Sequence, residues 1–338
     1  MDDFFDKQEI NVVFLGGSIT EGAHASINEN CYASLTSAWL KETFGQNGRI
    51  VNCYNKGVGG TPSQYGLLRL SRDVIANNPD LVFIEFAVND GGEDTRVYME
   101  SIVRSLQETV DPYIIFLYTT NEVYSTETKY HADLAAHYGI PEISLKDALH
   151  RELDGKNPRE CGYFTDAVHP ADAGHAVYFR EIVRCLSTGE YFKKAQKREK
   201  RIAASGAVDM RFISSAGNEV ERIGAWETGG TRPDRPFAKT TTVGDRLRLS
   251  FEGSIFAVEH GLHAKSCMYE LYIDGQLVET IHPVYADIAT YQLVQGYATF
   301  HLSPGRHEAE IITVPSTNPK YTGTEVLIYN FIVGNKAT

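Results

Sequence analysis

Between residues 10 and 190 the chain alternates short apolar runs with longer amphipathic stretches. The runs are Val12–Leu15, Ile50–Tyr54, Leu81–Val88, Tyr113–Tyr118 and a weaker Ile140–Leu145. Between them, Ala33–Phe44, Tyr65–Ala76, Val97–Val110 and Tyr130–Tyr138 repeat apolar residues near a 3.6-residue period. A last stripe, Ala173, Ala176, Val177, Phe179, Val183 and Leu186, marks a helix over Ala171–Leu186. Strand–helix alternation predicts an α/β domain, a parallel sheet with helices on both faces. Five strands suffice for a flavodoxin-like three-layer arrangement.

After Ser205 the rhythm changes. MRFISS, RLRLSFEGSIFAVEHG, MYELYIDGQLVETI, YATFHLSPGRHEAEIITV and EVLIYNFIVG alternate apolar and polar positions. Asp274-Gly275 is a hairpin signal, and Ser303-Pro304-Gly305 marks a further turn. Many short strands without a helical period predict a C-terminal β-sandwich or jelly roll. The expected organisation is a first domain over residues 1–192, a charged helix end or linker over 193–204, and a sandwich over 205–338.

Composition narrows the partners. The 338 residues carry a net charge of −12, which repels a phosphate backbone and argues against nucleic acid. The basic run KKAQKREKR, from Lys193 to Arg201, is a single short stretch and reads as a solvated helix end or linker. Five cysteines, odd in number and without a CxxC pair, argue against a disulfide framework or a zinc site. No apolar run approaches the ~20 residues that span a bilayer, so no membrane partner is expected. The acidic MDDFFDKQEI start has no apolar signal-like region. The expected location is the cytoplasm, with secretion left open.

Candidate chemistry sits where an open parallel sheet binds ligands, at the carboxyl ends of its strands. The first run ends in Gly16-Gly17-Ser18, the second in NKGVGG (55–60), and the third in Asn89-Asp90-Gly91-Gly92. The loop before the last helix holds DAVHP, with Asp166 and His169. Ser18 would open the first helix, where free N–H groups and the helix dipole favour negative charge. His169 can supply the base a serine needs, and Asp166, three residues earlier, can hold the other ring nitrogen. Pro170 would occupy the first position of the final helix. The Ser18 and Gly60 N–H groups and the Asn89 amide are the candidate oxyanion donors.

Each of these has a structural alternative: Ser18 as a helix cap, His169 as a packing histidine, Asn89-Asp90 as a turn. Gly57, Gly59 and Gly60 lack the GxGxxG or P-loop context of a nucleotide site. Gly22 comes too late for a GxSxG elbow.

The blocks GGSIT, NKGVGGTPS, AVND and DAVHP, in that order, resemble those of the SGNH hydrolases, also called GDSL esterases/lipases, over about residues 10–190. The resemblance implies Ser18 as nucleophile, Gly60 and Asn89 as oxyanion partners, His169 as base and Asp166 as its orienting acid. Gly17 stands where the family often has the aspartate of GDSIT. Some carbohydrate-esterase relatives dispense with the acid, but here the DxxH spacing is intact. The family's reaction implies ester hydrolysis through an acyl-enzyme, with neither metal nor organic cofactor.

Polar residues after Ser18, namely Glu21, His24, Ser26, Asn28 and Glu29, favour a short acyl group over a long chain. The sandwich resembles modules attached to carbohydrate-active members, although there it often comes first. The expected substrate is therefore a small-molecule or oligosaccharide ester, with acetyl the expected group. The rivals are a lysophospholipase or thioesterase and a non-catalytic carbohydrate-binding protein. A homo-oligomer stays open. Trp226, Tyr285, Tyr291 and Tyr297 are candidates for stacking on sugar rings, or are packing aromatics. His260 and His263 would need a third ligand to hold a metal.

Overall fold

The computed structural model describes all residues except 1–3, 5, 127, 204–206, 231–234, 284–291, 318–322 and 337–338. The chain forms two compact units, Met1–Gly206 and Ala207–Thr338.

The first unit holds β1 (Glu9–Gly16), α1 (Ser18–Glu21), α2 (Tyr32–Phe44), β2 (Ile50–Gly57), α3 (Ser63–Leu68), α4 (Leu70–Asp73), β3 (Leu81–Glu85), α5 (Asp94–Thr109), β4 (Tyr113–Tyr118), α6 (Lys129–Tyr138), β5 (Glu142–Ser144), α7 (Leu145–Glu152) and α8 (Asp172–Leu186). The strands form one parallel sheet in the order β2-β1-β3-β4-β5, the flavodoxin-like order. Ile10, Val12, Val13, Phe14 and Leu15 of β1 are all buried. A strand is apolar at consecutive positions only when helices cover both faces. Here α2, α7 and α8 pack as one group and α3, α5 and α6 as another. Phe14 stacks on Phe83 at 4.8 Å in the α2–α8 core.

Local boundaries moved where tertiary contacts override periodicity. The stripe over Tyr65–Ala76 is broken into α3, α4 and a 3-10 turn at Ile75–Asn77. The break falls at Arg69, whose side chain is fully buried and donates to the carbonyls of Gly16 and Lys56. The expected Leu81–Val88 strand stops at Glu85, because the next residues turn back, with Asn89 and Asp90 N–H both bonded to the Phe86 carbonyl. Helix α7 has no counterpart in the sequence expectation. Pro170 is not the first residue of the last helix. It forms a bridge with Phe164, and the helix starts at Asp172 with Ala171 as cap. Residues 193–203 follow α8 as an irregular segment laid along α5 and α6. Gln196 N–H donates to the Tyr138 carbonyl, and the Glu100 carboxylate accepts from the N–H groups of Ile202 and Ala203.

Buried His175 on α8 accepts from the Tyr32 N–H through Nδ1. Desolvation pushes its pKa down to about 4, outweighing the Ala23 carbonyl and Asp172, which pull it up. The unfolded chain binds the proton near pH 6.5 and the folded chain does not until about pH 4. Stability is therefore present above the unfolded value and lost as pH falls. We expect this residue to cost about 2 kcal/mol between pH 8 and pH 5. Urea midpoints at the two pH values, in the wild type and in His175→Gln, check this: the variant should show the smaller drop.

The second unit is a β-sandwich of antiparallel strands. One sheet runs β13 (Gln276–Ile281), β12 (Met268–Ile273), β15 (Gly305–Val314), β10 (Arg246–Gly253), β7 (Glu221–Ile223). The other runs β14 (Gln292–Thr299), β11 (Ile255–Leu262), β16 (Val326–Lys336), β9 (Pro236–Thr240), β8 (Glu227–Gly230), with β6 (Ala207–Ser214) also pairing with β16. Leu249, Phe251, Leu271 and Ile311 of the first sheet share a core with Phe256, Val258, Ile328 and Val333 of the second. Asp274 and Gly275 form the β12–β13 hairpin turn, both with positive φ, as a type I′ turn requires.

Among the sugar-stacking candidates, Trp226 and Tyr297 pack half-buried against this core. Tyr285 and Tyr291 lie outside the described residues. His260 is buried on the Tyr269 hydroxyl at 2.8 Å, and His263 Nδ1 accepts the Lys265 N–H.

Candidate active site

Parallel strands deliver Gly16, Gly57 and Glu85 to one edge of the sheet in register, with Gly16 beside both of the others. The chain after β1 turns at once into α1, a single helical turn with Gly17 as cap and Ser18 first. Four residues sum to little macrodipole, so what Ser18 gains is local: its own N–H opens a helix and has no intrahelical partner.

A buried polar frame holds this turn. Glu85 is 1% exposed and accepts from the hydroxyls of Thr20 (2.8 Å) and Thr119 (2.6 Å) and from the Gly17 N–H. Burial pushes its carboxyl pKa up against the pull of those three donors. Thr20 also bonds the Tyr32 hydroxyl. On the other side Arg69 ties the carboxyl ends of β1 and β2 together and pairs with Asp73. Desolvation raises Asp73, but Arg69 and Arg72 outweigh it and hold its carboxyl at about 2.

The DAVHP loop, which leads into α8, meets this turn. His169 Nε2 lies 2.9 Å from Ser18 Oγ, and His169 Nδ1 lies 2.8 Å from Asp166 Oδ2. Asp166 Oδ1 accepts the N–H groups of Val168 and His169, which curls the loop and aims both side chains. Burial raises the Asp166 pKa, but the His169 ring and those two N–H groups overcome it and hold the carboxyl at about 2. Asp172 fixes the loop to the segment after Ser18. Its carboxylate accepts from the Ser26 N–H and hydroxyl and from the Asn30 amide. The Glu122 N–H, in the segment after β4, bonds the Ala167 carbonyl.

The oxyanion candidates gather at the same turn. A methyl group placed on Gly17 would lie 2.6 Å from Asn89 Oδ1, so the Asn89 amide rests against the backbone beside Ser18. Gly60 has φ 70°, a left-handed conformation open to glycine. Its neighbour Gly59 faces the nucleophile turn, with a methyl there 3.8 Å from Ser18 Cβ. Asp90 anchors this part of the rim. Its carboxylate accepts the Ser63 N–H at the start of α3 and meets buried His131 Nε2 at 2.8 Å.

All five sequence-derived candidates thus lie on one edge. Sequence reasoning missed the frame of Glu85, Arg69 and His131, and gave His24 no role beyond polarity. His24 stacks on the His169 ring, 4.6 Å between centroids and 17° between planes. Its left-handed φ of 67° is a local oddity that no composition signal announces.

Residues 14–177 match the model of the GDSL-like Lipase/Acylhydrolase family. The first unit is a GDSL-like acylhydrolase domain. Its family places the domain among the carboxylic ester hydrolases. No curated protein matches this sequence. Two solved structures share the fold of both units. One, a two-domain esterase active on acetylated mannans co-crystallised with mannopentaose, aligns with a TM-score of 0.82 at 24% identity, over 98% of this chain and 92% of that one. The other, a two-domain esterase active on acetylated mannans, has the same score and identity over 100% and 95%. Among the described residues, no helix is long and apolar enough to cross a membrane.

Gly17, where the sequence departs from the GDSIT block it resembles, lies against the Asn89 side chain. Gly17 has φ −90°, which any residue adopts, so the backbone does not demand glycine. What a side chain would displace is the Asn89 amide. We expect Gly17→Ala to leave the urea midpoint nearly unchanged and to lower kcat on p-nitrophenyl acetate by up to about 10²-fold, the scale of a lost oxyanion donor.

Proposed function

We propose that this protein is a serine esterase that removes acetyl groups from a carbohydrate. The observation that carries the reading is the continuous path from Ser18 Oγ through His169 to Asp166, at 2.9 and 2.8 Å.

In this reading Ser18 Oγ attacks the ester carbonyl while His169 Nε2 takes its proton. The carbonyl oxygen becomes an oxyanion that accepts from the N–H groups of Ser18 and Gly60 and from the Asn89 amide. Preorganised donors of this kind contribute about 3 kcal/mol each in the transition state. Asp166 keeps the Nδ1 proton on the ring and stabilises the imidazolium. His169 then gives that proton to the sugar oxygen as its bond to the acyl carbon breaks, releasing the sugar hydroxyl and leaving an acetyl-Ser18 ester. Water, deprotonated by the same ring, releases acetate. The proton transfers call on Ser18, His169 and Asp166, whose side chains already lie in hydrogen-bond reach of one another.

The carbohydrate assignment is supported by the two-domain esterases active on acetylated mannans, whose two folds this chain repeats in the same order. A short acyl group is supported by the mostly polar segment that follows Ser18, with Glu21, Ser26, Asn28 and Glu29. The test is a panel of acetylated manno- and xylo-oligosaccharides, read by mass spectrometry as loss of acetyl. Release of acetyl from one class supports the reading. Turnover only of long-chain acyl esters, or none at all, sinks it.

A further inference from the structure

The side chains around Asp166 form a second arrangement that the triad does not use. One ligand atom from each of His24, Asp166 and His169 lies within 4.8 Å of the others. His24 Nε2 is 3.7 Å from Asp166 Oδ2, the same oxygen that meets His169 Nδ1 at 2.8 Å.

The hydrogen bonding orients the third member. The Thr165 hydroxyl lies within reach of both the His169 carbonyl and His24 Nδ1; with its proton on the carbonyl, its oxygen accepts from His24 Nδ1–H. The neutral His24 ring then turns the lone pair of Nε2 toward a carboxylate oxygen. Two electron-pair donors facing each other suit a cation between them. The His24 side chain is 44% exposed and that of Asp166 39%, so an ion can reach the pair from solvent.

We infer that His24, Asp166 and His169 are an inhibitory binding site for a divalent transition-metal ion such as Zn2+ or Cu2+. Zinc takes imidazole nitrogen and carboxylate oxygen at about 2.0–2.2 Å, which sets neighbouring ligands about 3.3 Å apart in a tetrahedron. Two of the separations, 3.7 and 2.8 Å, bracket that value and the third lies within 4.8 Å, so the exposed His24 ring has to turn off the face of His169 to bring its nitrogen onto the same ion, with water as fourth ligand. Two imidazoles and a carboxylate suit Cu2+ and Zn2+, with Cu2+ the tighter, whereas Mg2+ and Ca2+ require more oxygen ligands.

Inhibition follows from tautomer chemistry. The metal binds the Nδ1 lone pair of His169, so the Nδ1 proton leaves to solvent and Nε2 takes one up. The ring stays neutral, but Nε2–H now faces Ser18 and cannot accept its proton. Asp166 exchanges its hydrogen bond from His169 for the metal.

Inhibition rests on the esterase reading; metal binding does not. The test therefore has two arms on the full chain, both at mildly alkaline pH. Competition with a chromophoric zinc chelator should give one tight site in the wild type and in Ser18→Ala. Affinity should fall at least about tenfold in His24→Ala and in Asp166→Asn. Zn2+ should inhibit p-nitrophenyl acetate hydrolysis, EDTA should restore it, and Mg2+ should have no effect. Equal zinc affinity in His24→Ala and wild type overturns the site, as does equal inhibition by Mg2+. A wild type that binds zinc through His24 but hydrolyses no ester upholds the site and removes only the esterase reading.

Discussion

Ser18→Ala is expected to lower kcat for acetyl ester hydrolysis by 10⁴-fold or more, on the order of 10⁶ by analogy with other serine nucleophiles. The oxygen it removes has no understudy, because the acyl-enzyme needs a hydroxyl at that point. Ser18 is 7% exposed and its hydroxyl bonds the His169 ring. The rest of the turn is held without that hydroxyl, by Glu85 on the Gly17 N–H and Arg69 on the Gly16 carbonyl. The variant should therefore fold, with a far-UV spectrum and urea midpoint close to wild type. Burst kinetics with p-nitrophenyl acetate check the mechanism as well as the rate: the wild type should release a stoichiometric burst if deacylation is slow, and the variant none. Variant turnover within about tenfold of wild type would remove Ser18 from the chemistry.

Asp166→Asn should cost about 10⁴-fold in kcat with a much smaller effect on KM. An amide at this position can donate to Nδ1, which leaves the proton on Nε2 facing Ser18 and disables the base. The wild-type carboxylate is held at about 2, after the His169 ring and two N–H groups overcome its desolvation. A folded pKa depressed below the unfolded value of about 3.9 means the ionised form is favoured by folding and persists until pH approaches 2. Asp166 therefore stays ionised through mild acid, and loss of activity in weak acid belongs to another group. A pH–rate profile of kcat/KM checks this: the wild type should show no inflection from Asp166 above about pH 3.

Much of the catalytic unit was legible because its signals are local. β4 was read to the residue, since a fully buried strand of six apolar residues has no other reading in a strand–helix alternation. The candidate residues stood out because the sheet's carboxyl edge is a fixed place in an α/β topology, so every post-strand loop is a sampling of the same rim. That Gly17 lies against the Asn89 side chain is not written in any local pattern and is seen only in the fold.

What the order of residues determined by itself was periodicity: two units of different rhythm, the parallel sheet, the antiparallel sandwich, and the four polar segments at strand ends. What only the tertiary structure decided was partnership across long stretches of chain. Ser18 meets His169 across 151 positions, His24 meets Thr165 across 141, and Thr20 meets Glu85 across 65. Periodicity comes from backbone geometry repeated every two or 3.6 residues, so it is written locally. A hydrogen bond between distant side chains depends on how several packed elements bring their ends together, and no local pattern carries that distance.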